Sequence, residues 1–290
     1  MGRLLQVIGA LGSGAEHVVL VDNGSRNFDE RRLCEARPAL RIRRLPTNTG
    51  IAAAQNEGVR LARECGAAYV LFLDQDSIPQ TGMVACLRRT YDRLEAEGYK
   101  VALVGPRVRM RDMTKVSDFA RIGWLSRRKL RCRDESSAVE CDFLISSGSL
   151  VSVAAMERVG PMEEALFIDQ VDTEWCLRAS AAGYRIFGAC GAVMEHRLGE
   201  TAGRLWFGRW RLLPRHRPFR YYYIFRNTVL LFRRDYVSMK WILFELRWLG
   251  ALFLLYGLLA RRRGGELGMM LRGLVDGMRG VTGKLQQRDA

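Results

Sequence analysis

The chain has 290 residues, of which 48% are hydrophobic, and a formal net charge of +15. This length accommodates one large domain, or one domain with a helical appendage, and the hydrophobic share excludes a disordered chain. The charge is concentrated at the end, because residues 201–290 contain 18 Lys and Arg against 5 Asp and Glu, a net of +13. The first 200 residues are nearly neutral, so we expect the tail to contact a polyanion, either nucleic acid or anionic lipid.

The seven cysteines are odd in number, widely scattered, and contain no Cys-x-x-Cys pair. This pattern predicts neither a disulfide framework nor a zinc site, and it favours a reducing compartment. The opening residues, Met1 to Leu5, lack the basic-then-apolar order of a signal peptide. Together these features predict a cytoplasmic location.

Short apolar runs alternate with helix-length segments in the first 200 residues. Strands are predicted at 17–21, 41–45, 69–73, 101–105, 141–146 and 185–189, and helices at 51–65, 81–97 and 172–182. This alternation predicts an α/β fold with a mostly parallel sheet covered by helices on both faces. Ligands of such sheets bind beyond the carboxyl ends of the strands, which is where Asp22 and Asp74 fall.

The acidic triplet Asp74-Gln75-Asp76 follows the buried strand 69–73 directly. Carboxylates are the usual ligands of Mg²⁺ and Mn²⁺, and such an ion neutralises the charge of a departing diphosphate. By itself Asp-x-Asp is a common pattern, and a solvated turn is the alternative. Its position at the end of a strand favours a functional site.

Several ordered blocks resemble the inverting glycosyltransferases of family 2, which have the GT-A fold, and particularly their rhamnosyltransferase branch. The blocks are 19–25 (VLVDNGS), 48–58 (NTGIAAAQNEG), 71–77 (LFLDQDS), 166–179 (LFIDQVDTEWCLRA) continuing to Glu195-His196, and 220–227 (RYYYIFRN). The resemblance covers nearly the whole chain. It implies transfer of a sugar, L-rhamnose from dTDP-L-rhamnose, to a cell-surface polysaccharide or a lipid-linked acceptor.

The resemblance also implies roles for individual residues. Asp22 would bind the base or ribose of the donor, and Asp74 its sugar or ribose side. The metal, Mg²⁺ or Mn²⁺, would be held by Asp76 and His196. The segment beside the base would contain Asn48, Gly50 and Asn56; alternatively, residues 47–50 simply start a helix that Thr47 or Asn48 caps.

By the same resemblance, Asp172 is the catalytic base that takes the proton of the acceptor hydroxyl. Alternatively it is the N-cap of the helix that follows, and the two roles are compatible. Asp169 and Glu174 are neighbouring candidates for the base. Trp175 is expected in the core rather than stacked on a sugar, and residues 147–149 either present backbone amides to a ligand or form a tight turn.

One feature departs from the family pattern at the start of the chain. Family members usually open with a hydrophobic strand ending in a Thr-Tyr-Asn-Pro-like stretch, whereas Leu4 to Leu11 resembles the helix that follows that strand. We therefore expect either a start codon placed too late or a truncated site. A catalytically inactive GT-A-like binding protein is accordingly the second hypothesis.

The tail, 201–290, is predicted to be a basic helical region that follows a catalytic domain at 1–200. Residues 241–260 are mostly apolar, but Glu245 and Arg247 leave an uninterrupted run of 13 residues, too short to span a bilayer. Arginines and one lysine flank it at 233, 234, 240 and 261–263. This pattern predicts a helix bound at the inner face of the cell membrane rather than a nucleic-acid binder. The alternative is a helix packed on the catalytic domain or on a second copy of the chain.

Overall fold

The structure is a computed structural model that describes residues 2–12, 14–110, 116–124, 126–196, 201–206, 210–258 and 264–286. The helices are α1 (Gly2–Leu11), α2 (Glu30–Ala36), α3 (Ile51–Glu64), α4 (Met83–Ala96), α5 (Val153–Val159), α6 (Val171–Ala181), α7 (Pro218–Leu231), α8 (Met239–Leu258) and α9 (Gly264–Met278). The strands are β1 (Val18–Asn23), β2 (Leu40–Leu45), β3 (Tyr69–Leu71), β4 (Ile78–Pro79), β5 (Val101–Met110), β6 (Phe119–Ile122), β7 (Arg127–Leu130), β8 (Ala138–Cys141), β9 (Leu150–Ser152), β10 (Arg185–His196), β11 (Thr201–Trp206) and β12 (Trp210–Arg215).

The predicted α/β alternation is confirmed, but the central sheet is mixed. Its order is β3-β9-β5-β10-β4, with β8 beside β10. Within this sheet β5 and β10 are parallel, whereas β9 is antiparallel to both of its neighbours and β4 and β8 are antiparallel to β10. The prediction of a mostly parallel sheet was wrong here, because two- and three-residue strands such as β4 and β9 leave no apolar run to read in the sequence.

The strands β1 and β2 form a separate parallel pair in which Val18 to Asn23 are in register with Leu40 to Leu45. Helix α3 follows β2 and packs on β1, with the Gly58 backbone close to the Val21 side chain. The sequence also predicted α3, α4 and α6 to within two residues at either end.

The predicted strand at 141–146 is displaced. The observed strand β8 ends at Cys141, and the following residues form a loop in which Ser149 N donates to Ser146 O at 2.8 Å. This turn interrupts the apolar run, so the backbone leaves the sheet where the sequence pattern predicted that it would enter. It places Ser146 and Ser147 beside the end of β3.

One of the hydrophobic clusters of the core lies between α4 and the central sheet. Helix α4 has Met83, Leu87, Tyr91 and Leu94 buried at spacings of three and four residues, the pattern of one helix face. These side chains form one cluster with Val101 and Val104 of β5, which are buried. The ends of β5 and β10 are therefore held on a well-packed support.

A disulfide joins Cys132 to Cys190, 58 residues apart in sequence. The prediction that no disulfide would form was wrong for this pair. The segment after β7 lies against β10, where Cys190 N donates to Ser137 O at 3.0 Å, and this contact brings the two cysteines together. Cysteine spacing in the sequence carries no information about such a contact.

The C-terminal helices pack against each other and against the loop that precedes α6. Helix α7 lies along α9, where Gly273 comes close to the Tyr222 carbonyl oxygen. Helix α8 buries Trp241, Glu245, Leu249 and Tyr256 on one face. No helix in the described ranges is both long enough and apolar enough to cross a membrane. The arginines predicted to flank the tail at 261–263 lie outside the described residues.

Candidate active site

Two carboxylates and one imidazole converge at the carboxyl end of the central sheet. Asp74 and Asp76 follow β3, and His196 is the last residue of β10. The antiparallel pairing of β4 with β10, Ile78 opposite Glu195, draws the two segments together. Candidate metal-binding atoms of Asp74, Asp76 and His196 all lie within 4.8 Å of one another, and His196 Nδ1 is 3.7 Å from Asp76 Oδ1. Two carboxylates and one imidazole are a donor set that suits Mn²⁺ and Mg²⁺.

Two serine hydroxyls are hydrogen-bonded to this cluster on its protein side. Ser77 Oγ is hydrogen-bonded to His196 Nδ1 at 2.7 Å and accepts from Ser147 Oγ at 2.7 Å, and Ser147 Oγ accepts from Asp74 N at 2.9 Å. Both serines are buried. The hydroxyls therefore fix the orientation of the imidazole and of the backbone at Asp74, as supporting shells of metal ligands do.

The electrostatics of the cluster favour a cation. Burial raises the pKa of Asp74, the neighbouring Asp76 carboxylate raises it further, and His196 acts in the opposite direction. A divalent cation between the carboxylates would offset both the burial and the mutual repulsion.

Asp172 faces the same cavity from the first turn of α6. The helix begins at Val171 and its N-cap is Gln170, so the alternative role of Asp172 as the N-cap is wrong. Burial raises the pKa of Asp172 to about 6, and the carboxylates of Asp74 and Asp169 contribute to that rise while hydrogen bonds from Ser146 oppose it. A carboxylate with a pKa near the working pH is suited to general-base catalysis.

The two alternative bases, Asp169 and Glu174, already accept hydrogen bonds from other side chains. Asp169 forms a two-point ion pair with Arg220, in which Arg220 Nε donates to Asp169 Oδ2 at 3.2 Å. Glu174 is 1% exposed and accepts from Arg178 and from Tyr236 at 2.6 to 2.9 Å. Asp172 is thus the acidic residue of this segment best placed to accept a proton.

The indole of Trp175 is in the core, as the sequence predicted. It is fully buried, and its Nε1 donates to Gly160 O at 2.9 Å. The 147–149 segment is a tight turn in which Gly148 has φ +85°, with Pro106 and Met194 side chains where a Cβ would be.

Sequence reasoning missed how the segment before Asp172 is held. Phe167, Asp169 and Gln170 all have positive φ, a conformation that costs free energy for residues other than glycine. The Asn227 side chain on α7 donates to the carbonyls of Leu166, Ile168 and Asp169 at 2.8 to 2.9 Å. A signal was present, because Arg226 and Asn227 are polar residues inside the apolar sequence of α7, and both are completely buried.

Asp22 lies at the other side of the cavity, at the carboxyl end of β1. It is 5% exposed, its Oδ1 accepts from Ser25 N at 3.1 Å, and its Oδ2 is 3.4 Å from Arg44 Nε. The cavity has a volume of about 2000 Å³, and Asp22, Asp74, Asp76, Asp172 and His196 all contribute to its lining.

The structure does not bring Asn48, Gly50 and Asn56 to the lining of this cavity. Asn48 Oδ1 accepts from Gly50 N at 3.0 Å, and Gly50, not Thr47 or Asn48, is the N-cap of α3. Gly50 has φ +95°, and a Cβ there would be 2.5 Å from the Phe167 carbonyl oxygen. Its small size is therefore required by the loop before α6.

Asn56 joins α3 to the segment that leads into that loop. Its Nδ2 donates to Met162 O and Glu164 Oε1, and its Oδ1 accepts from Met162 N at 2.8 Å. The preceding residue, Gln55, does line the cavity and donates to Ser146 Oγ at 2.7 Å, while its Oε1 is buried without a hydrogen-bond partner in the described residues.

Comparison with known proteins agrees with this geometry. Residues 4–160 match the profile of Glycosyl transferase family 2. The chain is 32% identical over 271 residues to the dTDP-rhamnosyl transferase RfbF of Shigella flexneri, a match that covers 92% of this chain and 88% of the relative.

Solved structures share the fold at low sequence identity. S. aureus TarS 1-349 in complex with UDP-GlcNAc aligns with a TM-score of 0.55 at 14% identity, over 96% of this chain and 77% of that one. GalNAc-T7 with UDP, GalNAc and Mn²⁺ aligns with a TM-score of 0.50 at 13% identity, over 62% of this chain and 37% of that one. With more than half of its length matched to the family profile and a relative at 32% identity, this chain belongs to glycosyl transferase family 2 and is a glycosyltransferase.

Proposed function

We propose that this glycosyltransferase moves L-rhamnose from dTDP-L-rhamnose to a saccharide or lipid-linked acceptor of a cell-surface polysaccharide, with inversion at C1. The observation that carries the proposal is the common cavity on which Asp172 and the Asp74, Asp76 and His196 cluster open. The choice of donor rests on the similarity to the dTDP-rhamnosyl transferase of Shigella flexneri.

Asp76 and His196 would hold the metal, with Asp74 beside it and toward the sugar or ribose of the donor. When bound, Mg²⁺ or Mn²⁺ supplies positive charge that stabilises the departing diphosphate. The serine pair of Ser77 and Ser147 keeps the protein side of the site in place before the donor arrives.

Asp172 would act as the base. The acceptor oxygen forms a bond to C1 of the sugar as the bond from C1 to the diphosphate oxygen breaks, the hydroxyl proton passes to Asp172, and dTDP leaves. General-base help of this kind typically contributes about 10²- to 10⁴-fold. The Asp169–Arg220 pair and Asn227 keep the first turn of α6 where this transfer needs it.

Asp22 would bind the base or ribose of the donor, because it is the carboxylate at the far side of the cavity. Asn48, Gly50 and Asn56 would contribute to the same region indirectly. Their contacts shape the turn before α3 and couple it to the loop before α6, through Gly50 against Phe167 and Asn56 against Met162.

The decisive experiment compares nucleotide-sugars directly. The protein with Mn²⁺ is expected to bind and turn over dTDP-L-rhamnose in preference to UDP-GlcNAc, measured as thermal stabilisation and as release of the free nucleotide. Binding of a nucleotide-sugar without transfer to any acceptor would favour the inactive binding protein. Preference for another nucleotide-sugar would retain the enzyme class and change the donor.

We further propose that the region 201–290 lies on an anionic membrane surface. The outer face of α8 has exposed Met239, Leu243, Leu246 and Leu254, which are spaced by multiples of a helical turn. Helix α9 adds exposed Leu271, Val275 and Met278. The net charge of +13 in this region complements anionic lipid, and each Lys or Arg near such a surface contributes about 1 kcal/mol.

Helix α8 also borders the reaction cavity, through Trp248, which is 43% exposed and lies about half a turn around the helix from the Leu243 face. A lipid-linked acceptor held in the membrane would therefore be presented near the site. We expect binding to vesicles that contain phosphatidylserine and weaker binding to neutral vesicles.

The double substitution Leu243→Asp with Leu254→Asp should weaken vesicle binding by tenfold or more, about the free energy of burying one leucine side chain. Trp124→Asp is the matched control, since Trp124 is 63% exposed and lies between β6 and β7 rather than on α8 or α9. Equal vesicle binding by the double variant and the unchanged protein would contradict the membrane assignment.

A further inference from the structure

Gln55 is a polar residue on the buried face of helix α3. Ala52 and Val59, three residues before it and four residues after it, are buried in a hydrophobic cluster of the core. This spacing is that of one helix face, on which an apolar side chain would be expected at position 55. A polar side chain at such a position costs free energy unless its groups are hydrogen-bonded. Gln55 also contributes to the cavity lining, so its contacts bear on the site.

The amide of Gln55 is connected to Asp172 through one serine. Gln55 Nε2 donates to Ser146 Oγ at 2.7 Å, a contact between residues 91 apart in sequence. Ser146 in turn donates to the Asp172 carboxylate from both its hydroxyl and its backbone N–H. The backbone of Ser146 is itself held, because its carbonyl oxygen accepts from Ser149 N at 2.8 Å. A continuous chain of hydrogen bonds therefore runs from α3 to the first turn of α6.

The number of protons on Ser146 fixes the direction of this chain. A serine hydroxyl has one proton to donate and two lone pairs that accept. When the proton goes to Asp172, the oxygen can only accept from Gln55, so the amide nitrogen of Gln55 must face it. The opposite amide orientation would draw the serine proton to Gln55 Oε1 and away from the carboxylate.

The observed orientation leaves an unpaired oxygen on Gln55. Its Oε1 is buried without a hydrogen-bond partner among the residues that the structure describes. A buried carbonyl oxygen without a donor is unfavourable. The arrangement thus satisfies the carboxylate of Asp172 at the expense of the amide of Gln55.

The charges around Asp172 make its donors necessary. Asp74 and Asp169 both face it with like charge. Cys176, one turn further along α6, is beside it as a neutral thiol, because burial raises the pKa of Cys176 to about 12. Repulsion from the two carboxylates would turn the side chain of Asp172 away, and the hydrogen bonds from Ser146 oppose this.

We infer that Gln55 is a positioning residue for the catalytic base, holding the Ser146 hydroxyl with its proton toward Asp172 and so fixing the direction in which that carboxylate points. Gln55 acts through Ser146 and touches no reacting atom. The inference rests on the proposed function, because it requires Asp172 to be the base. It assigns to α3 a part in catalysis besides its part in packing.

The test replaces the amide by groups of the same size. Gln55→Glu keeps the shape, but the carboxylate cannot donate and instead accepts the proton of Ser146. Gln55→Met keeps the length without any polar group and adds no buried charge that could prevent folding. The readout is release of dTDP from dTDP-L-rhamnose with Mn²⁺, in which water takes the place of the acceptor. We expect kcat to fall about 10- to 100-fold in both variants, the range typical of groups that orient a functional residue, with the KM for the donor unchanged.

The matched control is Gln6→Glu on α1. It makes the same chemical change at an exposed position outside the cavity lining, so kcat should be that of the unchanged protein. Thermal unfolding of each variant shows that it is folded at the temperature of the assay.

A double-mutant cycle separates positioning from packing. In the Asp172→Asn background, Gln55→Glu should change kcat by less than about twofold, because its effect passes through the carboxylate that is then absent. A role in packing alone would lower kcat by the same factor in both backgrounds.

Unchanged kcat in both Gln55 variants, or equal losses in the two backgrounds, would overturn the inference and leave the proposed function intact. Unchanged turnover in Asp172→Asn by itself would contradict the proposed base, and the role of Gln55 would be rejected with it.

Discussion

The two sides of the cavity differ in how firmly the fold holds them. On one side, β5, β10, α4 and α6 form a packed core that holds Asp172 and His196, and buried Ser77 links His196 to the segment after β3. On the other side, Asp22 follows Val18 to Val21 of β1, which are only partly buried. The base and the metal-binding imidazole are therefore on the more deeply buried side, and the group assigned to the nucleotide is on the less buried side. Substitutions should reveal this division as losses of turnover on one side and of donor affinity on the other.

The largest loss is expected at the metal cluster. Asp76→Ala removes one of two proposed protein ligands, so turnover of dTDP-L-rhamnose should fall by a factor of about 10³ or more, with metal affinity reduced at least tenfold. Steady-state kinetics across a Mn²⁺ titration measures both. The control is Asp92→Ala, which removes an exposed carboxylate that pairs with Arg88 on α4. Full, metal-independent turnover in the Asp76 variant would contradict the metal assignment.

Replacement of the base should lower turnover slightly less than replacement of Asp76 does. Asp172→Asn is expected to lower kcat by about 10²- to 10⁴-fold while donor affinity stays unchanged. Because only the ionised carboxylate accepts a proton and its pKa is raised to about 6, kcat/KM of the unchanged enzyme should fall as the pH drops through about 6. The variant should lack this acidic limb. Unchanged turnover in the variant would exclude Asp172 as the base.

A smaller loss of turnover is expected when Asn227 is replaced, because its side chain holds the strained segment before Asp172. Asn227→Leu removes a side-chain donor from the carbonyls of Leu166, Ile168 and Asp169. The Leu166 carbonyl keeps Arg226 and the Ile168 amide as donors, whereas a carbonyl left without any partner costs roughly 1–3 kcal/mol. We expect kcat to fall about tenfold with donor affinity retained, because Asp172 loses its fixed position. Arg234→Ala is the control, since it removes an exposed ion pair with Glu163 near the end of the same helix. A loss of thermal stability with unchanged kcat at low temperature would show that Asn227 has only a structural role.

The smallest effect on catalysis is expected on the side of the cavity formed by β1. Asp22→Asn should raise the KM for the donor by tenfold or less and leave kcat unchanged, because the residue is proposed to contact only the nucleotide. An effect on kcat as large as that of Asp172→Asn would contradict the division between the two sides.

The sequence predicted the elements with strong periodicity and the residues at strand ends. Strands β1 and β5 are identifiable as apolar runs that end at turn residues, and helix α3 by its helical spacing. Asp74 and Asp76 are identifiable as site residues because they come directly after β3. Long-range contacts left no comparable pattern. The mixed sheet depends on strands of two and three residues, which are too short to recognise in the sequence. The Cys132–Cys190 bond depends on a proximity that the chain acquires only when it folds.

The geometry around Asp172 could not be predicted for a related reason. Phe167, Asp169 and Gln170 have positive φ, whereas residues of these types favour negative φ. The conformation is therefore imposed by contacts with α7 and not by local propensity. In the same way, the Phe167 carbonyl by itself requires a glycine at position 50. Only the folded contacts separate a glycine kept for packing from one kept for binding.

Among the described residues, one edge of β1 and one edge of β3 have no neighbouring strand, which affects how the protein behaves in solution. Unpaired strand edges next to apolar side chains are templates for pairing with other chains, and natural proteins normally cover or charge them. Here Val18 to Val21 and Tyr69 to Leu71 carry no charge to discourage such pairing. The two edges should therefore promote self-association as the protein concentration rises, and sedimentation at increasing concentration would measure it.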